Sequence, residues 1–238
     1  MSDVLRVANC SGFYGDRISA AREMVEGGPI DVLTGDYLAE LTMMILLKDK
    51  MKKAETGYAK TFLRQLQEVA KSCSEKNIKI VVNAGGLNPA GLANAANKVY
   101  AEQGVSANVA YIEGDDLLPR LQELQDQGEK LAHLDRGLPL SDLQAEVLSA
   151  NAYLGGWGIN EALKRGADLV VAPRVTDAAV VVGPAAWKFG WARDDWDQLA
   201  GAVVAGHIIE CGTQCTGGNY SHFQEIDKLT RAGFPIAE

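Results

Sequence analysis

The 238-residue chain is 47 % hydrophobic and 23 % charged, ordinary values for a globular domain long enough to bury a substantial core unaided by disulfides or metals. Its formal charge of -8 and pI near 5.0 argue against a nucleic-acid surface, which needs clustered Lys and Arg. No apolar run approaches the roughly 20 residues of a membrane span. The amino terminus has no signal-peptide pattern, and Cys10, Cys73, Cys211 and Cys215 lack zinc-ribbon spacing. The expectation is a soluble, cytoplasmic protein with free thiols and no membrane or nucleic-acid partner.

Residues 5–9 read as a first strand, and residues 17–26 as a helix with Ile18, Ala21 and Val25 on one face, stopped at Gly27-Gly28-Pro29. Residues 31–34 form a second strand. A helix follows through Leu38, Leu41, Ile45 and Leu46. A long helix opens at Thr56-Gly57 and carries the stripe Tyr58, Phe62, Leu63, Leu66, Val69 and Cys73 until Lys76-Asn77. Residues 78–82 are the third and most apolar strand, 89–103 an Ala-rich helix, 107–112 the fourth strand and 117–127 a polar helix. Residues 131–140 read as a loop. A helix is expected from Ser141, capped in a box with Gln144, then interrupted at 151–158 and resumed at 159–165 before Gly166. Residues 168–172 are the fifth strand. The last helix is expected to be boxed by Asp195 and Gln198, to bury Trp196, Leu199, Ala200, Val203, Val204, His207, Ile208 and Cys211, and to end at Gly212. Strands alternating with helices over five units predict an open three-layer, mostly parallel, Rossmann-like α/β sheet with helices on both faces, as a single domain over 1–238.

Each strand run ends in a polar or glycine-rich cluster, and ligands of open α/β sheets bind beyond the carboxyl ends of the strands. In Asn83-Ala84-Gly85-Gly86-Leu87-Asn88-Pro89 the glycines allow close backbone approach, and a helix start offers N–H groups to an anion; a tight turn explains the same residues. Arg174, directly after a buried strand, suits bidentate grip of a carboxylate or phosphate; Thr176 lies beside it, and Asp177 orients the arginine or caps a helix. Thr34, Gly35 and Asp36 bring a carboxylate to a neighbouring strand end, as Gly12, Tyr14 and Asp16 do at the first. Such a pair can work as acid and base or bind Mg²⁺, although Asp16 reads as a cap. His207 reads as a core histidine. Cys211 leads into a loop containing Gly217, Gly218 and Asn219 that suits a lid over an acyl group. Tyr153-Leu154-Gly155-Gly156-Trp157-Gly158 either lines an apolar ligand slot or makes a close helix–strand contact. Residues 113–116 read as a solvated turn. No G-x-G-x-x-G and no Walker lysine occurs, so neither a nicotinamide nor an ATP site is expected; the cofactor stays open and no metal ligand set is assigned.

SGFYGDR, LTGDYLAE, NAGGLNP, YLGGWGI, APRVTDAA and GHIIECGTQCTGGNY, in this order, resemble the acyclic terpene utilisation family, of the AtuA type. The resemblance covers the chain from its first strand onward. It implies a role in the catabolism of acyclic terpenes or related branched acyl-CoA compounds, and, since family members are usually longer, a chain that is either the amino-terminal portion of such a protein or a naturally short member. It brings no catalytic residue. Combined with the strand-end clusters, the expectation is an enzyme, a lyase, hydratase or hydrolase, acting on an anionic small molecule such as an acyl-CoA. Asp36, Asp177 and Cys211 are its catalytic candidates. Gly12, Tyr14, Thr34, Gly35, Asn83, Gly85, Gly86, Asn88, Arg174, Thr176, Gly217, Gly218 and Asn219 are its ligand-binding candidates. The alternative is a non-catalytic binding or assembly subunit, with Trp187, Trp191 and Trp196 as an interface. A homo-oligomer is expected in either case.

Overall fold

A computed structural model describes residues 4–229 and 232–238. The elements run β1 (Val7–Asn9), α1 (Ala20–Gly27), β2 (Val32–Gly35), α2 (Glu40–Lys52), α3 (Lys60–Lys76), β3 (Lys79–Gly86), α4 (Pro89–Glu102) and β4 (Val109–Tyr111). They continue as α5 (Leu121–Asp126), α6 (Trp157–Lys164), β5 (Leu169–Pro173), α7 (Ala179–Phe189), α8 (Trp196–Glu210) and β6 (Ile236–Ala237). The six strands form one sheet in the order β4-β5-β3-β2-β1-β6, parallel except for β6, which pairs antiparallel with β1. The expected α/β class and mostly parallel sheet are what the chain forms.

Alternation along the strands feeds two cores. Leu33, Ile80, Val82, Leu169 and Val171 point to one face and pack against Leu66, Val69 and Leu92. Val32, Val81, Val170 and Ala172 point to the other, against Ile159, Val180 and Ile209. Covered on both faces, each strand reads as a continuous apolar run. The chain steps from β1 to β2 to β3 and on to β4 in one direction, then back to β5. Right-handed crossovers therefore place α1, α3 and α4 on the first face and α6 on the second.

Local chemistry explains most boundaries. Asn77 takes a left-handed conformation after α3 and its N–H bonds the Cys73 and Ser74 carbonyls, while Asn88 caps α4 by accepting from the Gly91 N–H, with Pro89 next. Three expectations fail. No helix starts at Ser141. Leu140–Asp142 is a single 3₁₀ turn, and Leu138, Leu143 and Leu148 around it are exposed, so no apolar stripe meets a neighbour that would hold a helix. Asp195 caps nothing on α8, because its carboxylate accepts from the Ala192 N–H in the preceding turn. The side of α8 expected in the core faces outward: Trp196, Val203, Val204, His207 and Ile208 are exposed, and Ala202, Gly206 and Ile209 pack inward instead. Small residues win that position because α8 crosses α7 closely, and a side chain at Gly206 would overlap Ala178. Helix α7, buried along nearly its whole length, has no period and was not delimited by the pattern.

Candidate functional site

The carboxyl ends of β1, β2, β3 and β5 converge with the carboxyl end of α8. Asn9, the last residue of β1, donates from Nδ2 to the carbonyls of Ile209 and Glu210, the latter at 2.7 Å, and accepts from the Ser11 N–H at 2.7 Å. These bonds satisfy carbonyls that the end of α8 leaves without helical partners. Gly12 completes the junction, since a Cβ there would lie 2.5 Å from the Cys211 carbonyl oxygen. Together they fix where Glu210 and Cys211 sit.

Asp36 follows β2 and is buried. Its backbone N–H donates to the Ser11 carbonyl at 2.8 Å. Its carboxyl accepts from the Leu38 N–H at 3.2 Å and from the Asn83 amide. Asn83 lies where the pairing of β3 with β5 slips between Val82 and Gly86, the kind of irregularity that re-aims a side chain. Its carbonyl oxygen accepts from the Tyr37 N–H at 2.7 Å, which fixes the amide orientation. After β5, Arg174 bonds the Asp177 carboxylate at 3.1 Å, stacks over the Tyr153 ring at 4.0 Å and points its other terminal nitrogen toward Glu40 at 3.9 Å.

Asp36, Asp177 and Glu210 thus form a trio whose carboxylate oxygens lie within 4.8 Å of one another. Burial pushes the Asp36 carboxyl well above the usual carboxylate range. Its hydrogen-bonding contact with Glu210 and the nearby Asp177 charge push it the same way, against the opposing pull of Asn83. Asp36 therefore keeps its proton to higher pH than an ordinary aspartate, beside a second carboxyl group. Cys211 is pushed up to about 12 by burial, by its contact with Glu210 and by the surrounding negative charges, so it stays a thiol, with Sγ 3.2 Å from Glu210. This environment opposes use of Cys211 as a thiolate nucleophile. Three carboxylates at this spacing are also a donor set that suits a hard divalent cation such as Mg²⁺ or Ca²⁺.

The remaining candidates lie around this centre in different roles. Thr34 bonds the Ala8 carbonyl at 3.2 Å inside the sheet, and Gly35 lies under the Tyr37 ring. Gly85 backs against the Ala172 carbonyl, Gly86 (φ 52°) against Leu46 and Gly57, and Asn88 caps α4 while bonding the Thr56 carbonyl at 3.0 Å. The groove in front of Gly86 and Asn88 carries Glu113, Asp115 and Asp116 beside Lys50, a lining unsuited to an anion. Tyr14 accepts from Thr61 through its carbonyl. Gly217, Gly218 and Asn219 belong to a run of short turns, held by the Gly218 N–H to Thr213 carbonyl bond at 2.8 Å. Thr176 is exposed beside Asp177.

Two readings of the sequence are corrected here. Asp115 is not in a solvated turn: it is buried and accepts from the Asn151 amide at 2.8 Å and from the Arg174 N–H at 3.3 Å. His207 is not a core residue but exposed, with Nδ1 3.8 Å from Glu210. Glu210 itself escaped the sequence reading. Its signal was a lone acid closing the otherwise uncharged stretch 198–209 of an apolar helix. Residues 155–157 line an apolar slot as expected, but the close contact they make is with a helix and not between helix and strand. Gly156 packs against Gly183 of α7, and all three line an apolar groove that ends at Asp177.

The family model described as acyclic terpene utilisation family protein AtuA matches residues 5–238. The chain belongs to this family. Five of the motif clusters quoted above supply residues of the candidate site: Gly12 from SGFYGDR, Asp36 from LTGDYLAE, Asn83 from NAGGLNP, Arg174 and Asp177 from APRVTDAA, and Glu210 and Cys211 from GHIIECGTQCTGGNY. The sixth, YLGGWGI, lines the groove beside it. No curated protein and no solved structure matches the chain. Among the described residues, no helix is long and apolar enough to cross a membrane.

Proposed function

We propose that the chain is a catabolic enzyme of acyclic terpene or branched acyl-CoA degradation whose chemical step is a proton transfer carried by Asp36 and Glu210. The observation that carries this reading is a buried carboxyl, pushed well above the usual carboxylate range by burial, within 4.8 Å of a second carboxyl at the sheet edge. A neutral acid can protonate a developing oxyanion or leaving oxygen, and its partner carboxylate can take up a proton, which are the needs of a hydratase or lyase. Asp177 is the accessible member of the trio, with its side chain 37 % exposed, and Arg174 holds it in place. In this reading Arg174 positions Asp177 and contributes positive potential to a CoA thioester ligand, while Cys211 donates to Glu210. The setting is cytoplasmic, in keeping with four unpaired cysteines.

Deuterium incorporation tests the reaction. Branched acyl-CoA thioesters incubated with the enzyme in heavy water are expected to gain deuterium next to the carbonyl, with the Asp36→Asn variant at background. Incorporation that persists in Asp36→Asn removes the acid role. Calorimetric titration of the same thioesters into Arg174→Ala checks the ligand role, and binding equal to wild type sinks it.

A second reading, an assembly subunit that works as a homo-oligomer, is favoured by α8. Trp196, with Val203, Val204 and Ile208 of the uncharged stretch 198–209, is exposed along one helix, more apolar surface than a free helix face carries. Trp187 on α7 and Trp191 just after it are part-buried against the second core. A strict monomer in sedimentation velocity removes this reading.

A further inference from the structure

Beside the acid trio runs a groove of about 490 Å³, bounded by the amino ends of α6 and α7 and by α8. That volume falls in the range of small-molecule sites, roughly 300–1,000 Å³. Its two ends differ in chemistry. Trp157, Val182, Leu199 and Val203 make the walls apolar, while Thr176, Asp177 and His207 form one polar end. Leu199, Val203 and His207 are four residues apart, so they line one stripe of α8 that leads toward Glu210.

The polar end is negative. Asp177 lines it, and the buried Glu210 and Asp36 stand behind Asp177 and His207, with Glu210 3.8 Å from His207 Nδ1. The guanidinium of Arg174 is already bonded to Asp177, with Glu40 on its far side. A carboxylate arriving here would meet acceptor oxygens, whereas a hydroxyl would find them as hydrogen-bond partners and a carbonyl carries no full charge for them to repel.

We propose that this groove seats a branched aliphatic chain whose head group reaches Asp177 uncharged, as a hydroxyl or a thioester carbonyl, and that the trio rejects the corresponding free carboxylate. The proposal deepens the proton-transfer reading and rests on it for which end of the ligand reacts.

The probes are a methyl-branched medium-chain alkanol and its matching carboxylate, titrated calorimetrically near pH 8, where the carboxylate is fully ionised. Trp157 emission serves as a second readout. The alkanol is expected to bind wild type at least about tenfold more tightly than the carboxylate. Val203→Asp at the exposed wall, and Val182→Phe filling the groove from α7, are each expected to weaken the alkanol by about tenfold or more while thermal melts stay cooperative. Asp177→Asn removes the repelling charge and frees Arg174, so it is expected to bring the carboxylate to within about threefold of the alkanol. Equal affinities in wild type, or alkanol binding unchanged in both groove variants, overturn the proposal, including the case in which a second copy of the chain fills the groove. Alkanol binding retained by Asp36→Asn separates the two readings. Loss of deuterium exchange alone concerns the proton transfer, and loss of discrimination alone concerns the groove.

Discussion

Asp36 and Glu210 meet carboxyl to carboxyl although one follows a strand of the central sheet and the other ends the last long helix. Burial keeps a proton on Asp36, and an ordinary unfolded aspartate releases its proton near pH 4. Below about pH 4 both states are protonated and the contact is fully favourable. As pH rises, the unfolded chain gives up its proton first, so this group's contribution to stability falls from about pH 4 up to its raised folded value. Asp36→Asn mimics the protonated acid and removes that slope. Melting temperatures of the two proteins across about pH 4 to 8 are expected to diverge with rising pH in favour of the variant. Parallel curves contradict a raised Asp36.

Gly12→Ala probes the joint between the first strand and the end of α8. The added methyl would overlap backbone atoms of Cys211 and Gly212, which cannot swing aside as a side chain can. Overpacking of this kind costs about 1–3 kcal/mol. Urea unfolding should register that loss, together with reduced activity because Glu210 is displaced. A change under about 0.5 kcal/mol would mean the joint is slack.

Cys211, pushed up to about 12, is expected to react slowly with iodoacetamide at neutral pH. Its alkylation rate, followed by peptide mass spectrometry, should keep climbing past pH 10 without a plateau, where an unperturbed thiol near 8.5 has levelled off. A plateau near pH 8 or 9 would restore the cysteine as a nucleophile candidate.

Tyr37 is fully buried, and its hydroxyl bonds Gln65, whose amide donates to the Cys10 and Arg17 carbonyls at 3.2 and 3.3 Å. Tyr37→Phe leaves the Gln65 oxygen short of a donor, at a cost of about 1–3 kcal/mol in chemical denaturation. The first-strand loop depends on Gln65, so the hydrogen exchange of residues 10–16 should quicken as well.

Val204→Asp and Ile208→Asp place charge on the outer side of α8, where both residues are exposed. Each is expected to change monomer stability by less than about 0.5 kcal/mol. If α8 joins copies of the chain, sedimentation velocity will show both variants shifting to a smaller species at equal concentration, and unchanged profiles remove α8 from any interface.

Much of this protein was legible along the chain. Periodicity located strands such as Leu169–Pro173 and the stripe of α3, and strand-end composition singled out Asp36, Asn83, Arg174 and Asp177, because a doubly covered sheet demands continuous apolar runs and leaves its polar residues for the loops. Position in space was not legible. The same spacing that marks an amphipathic helix gave the wrong inward side for α8, since close crossing at Gly206 selects small residues rather than large apolar ones. Asp115 looked like a solvated turn residue until Asn151 and Arg174 closed over it. The trio needed Glu210, which no local motif marks and which reaches Asp36 because Asn9 and Gly12 clamp the end of α8 onto the sheet. Which residues are chemically able was thus written in the sequence. Which of them share a proton was decided by tertiary packing, because burial and proximity, the two causes that hold the proton on Asp36, exist only once distant segments meet.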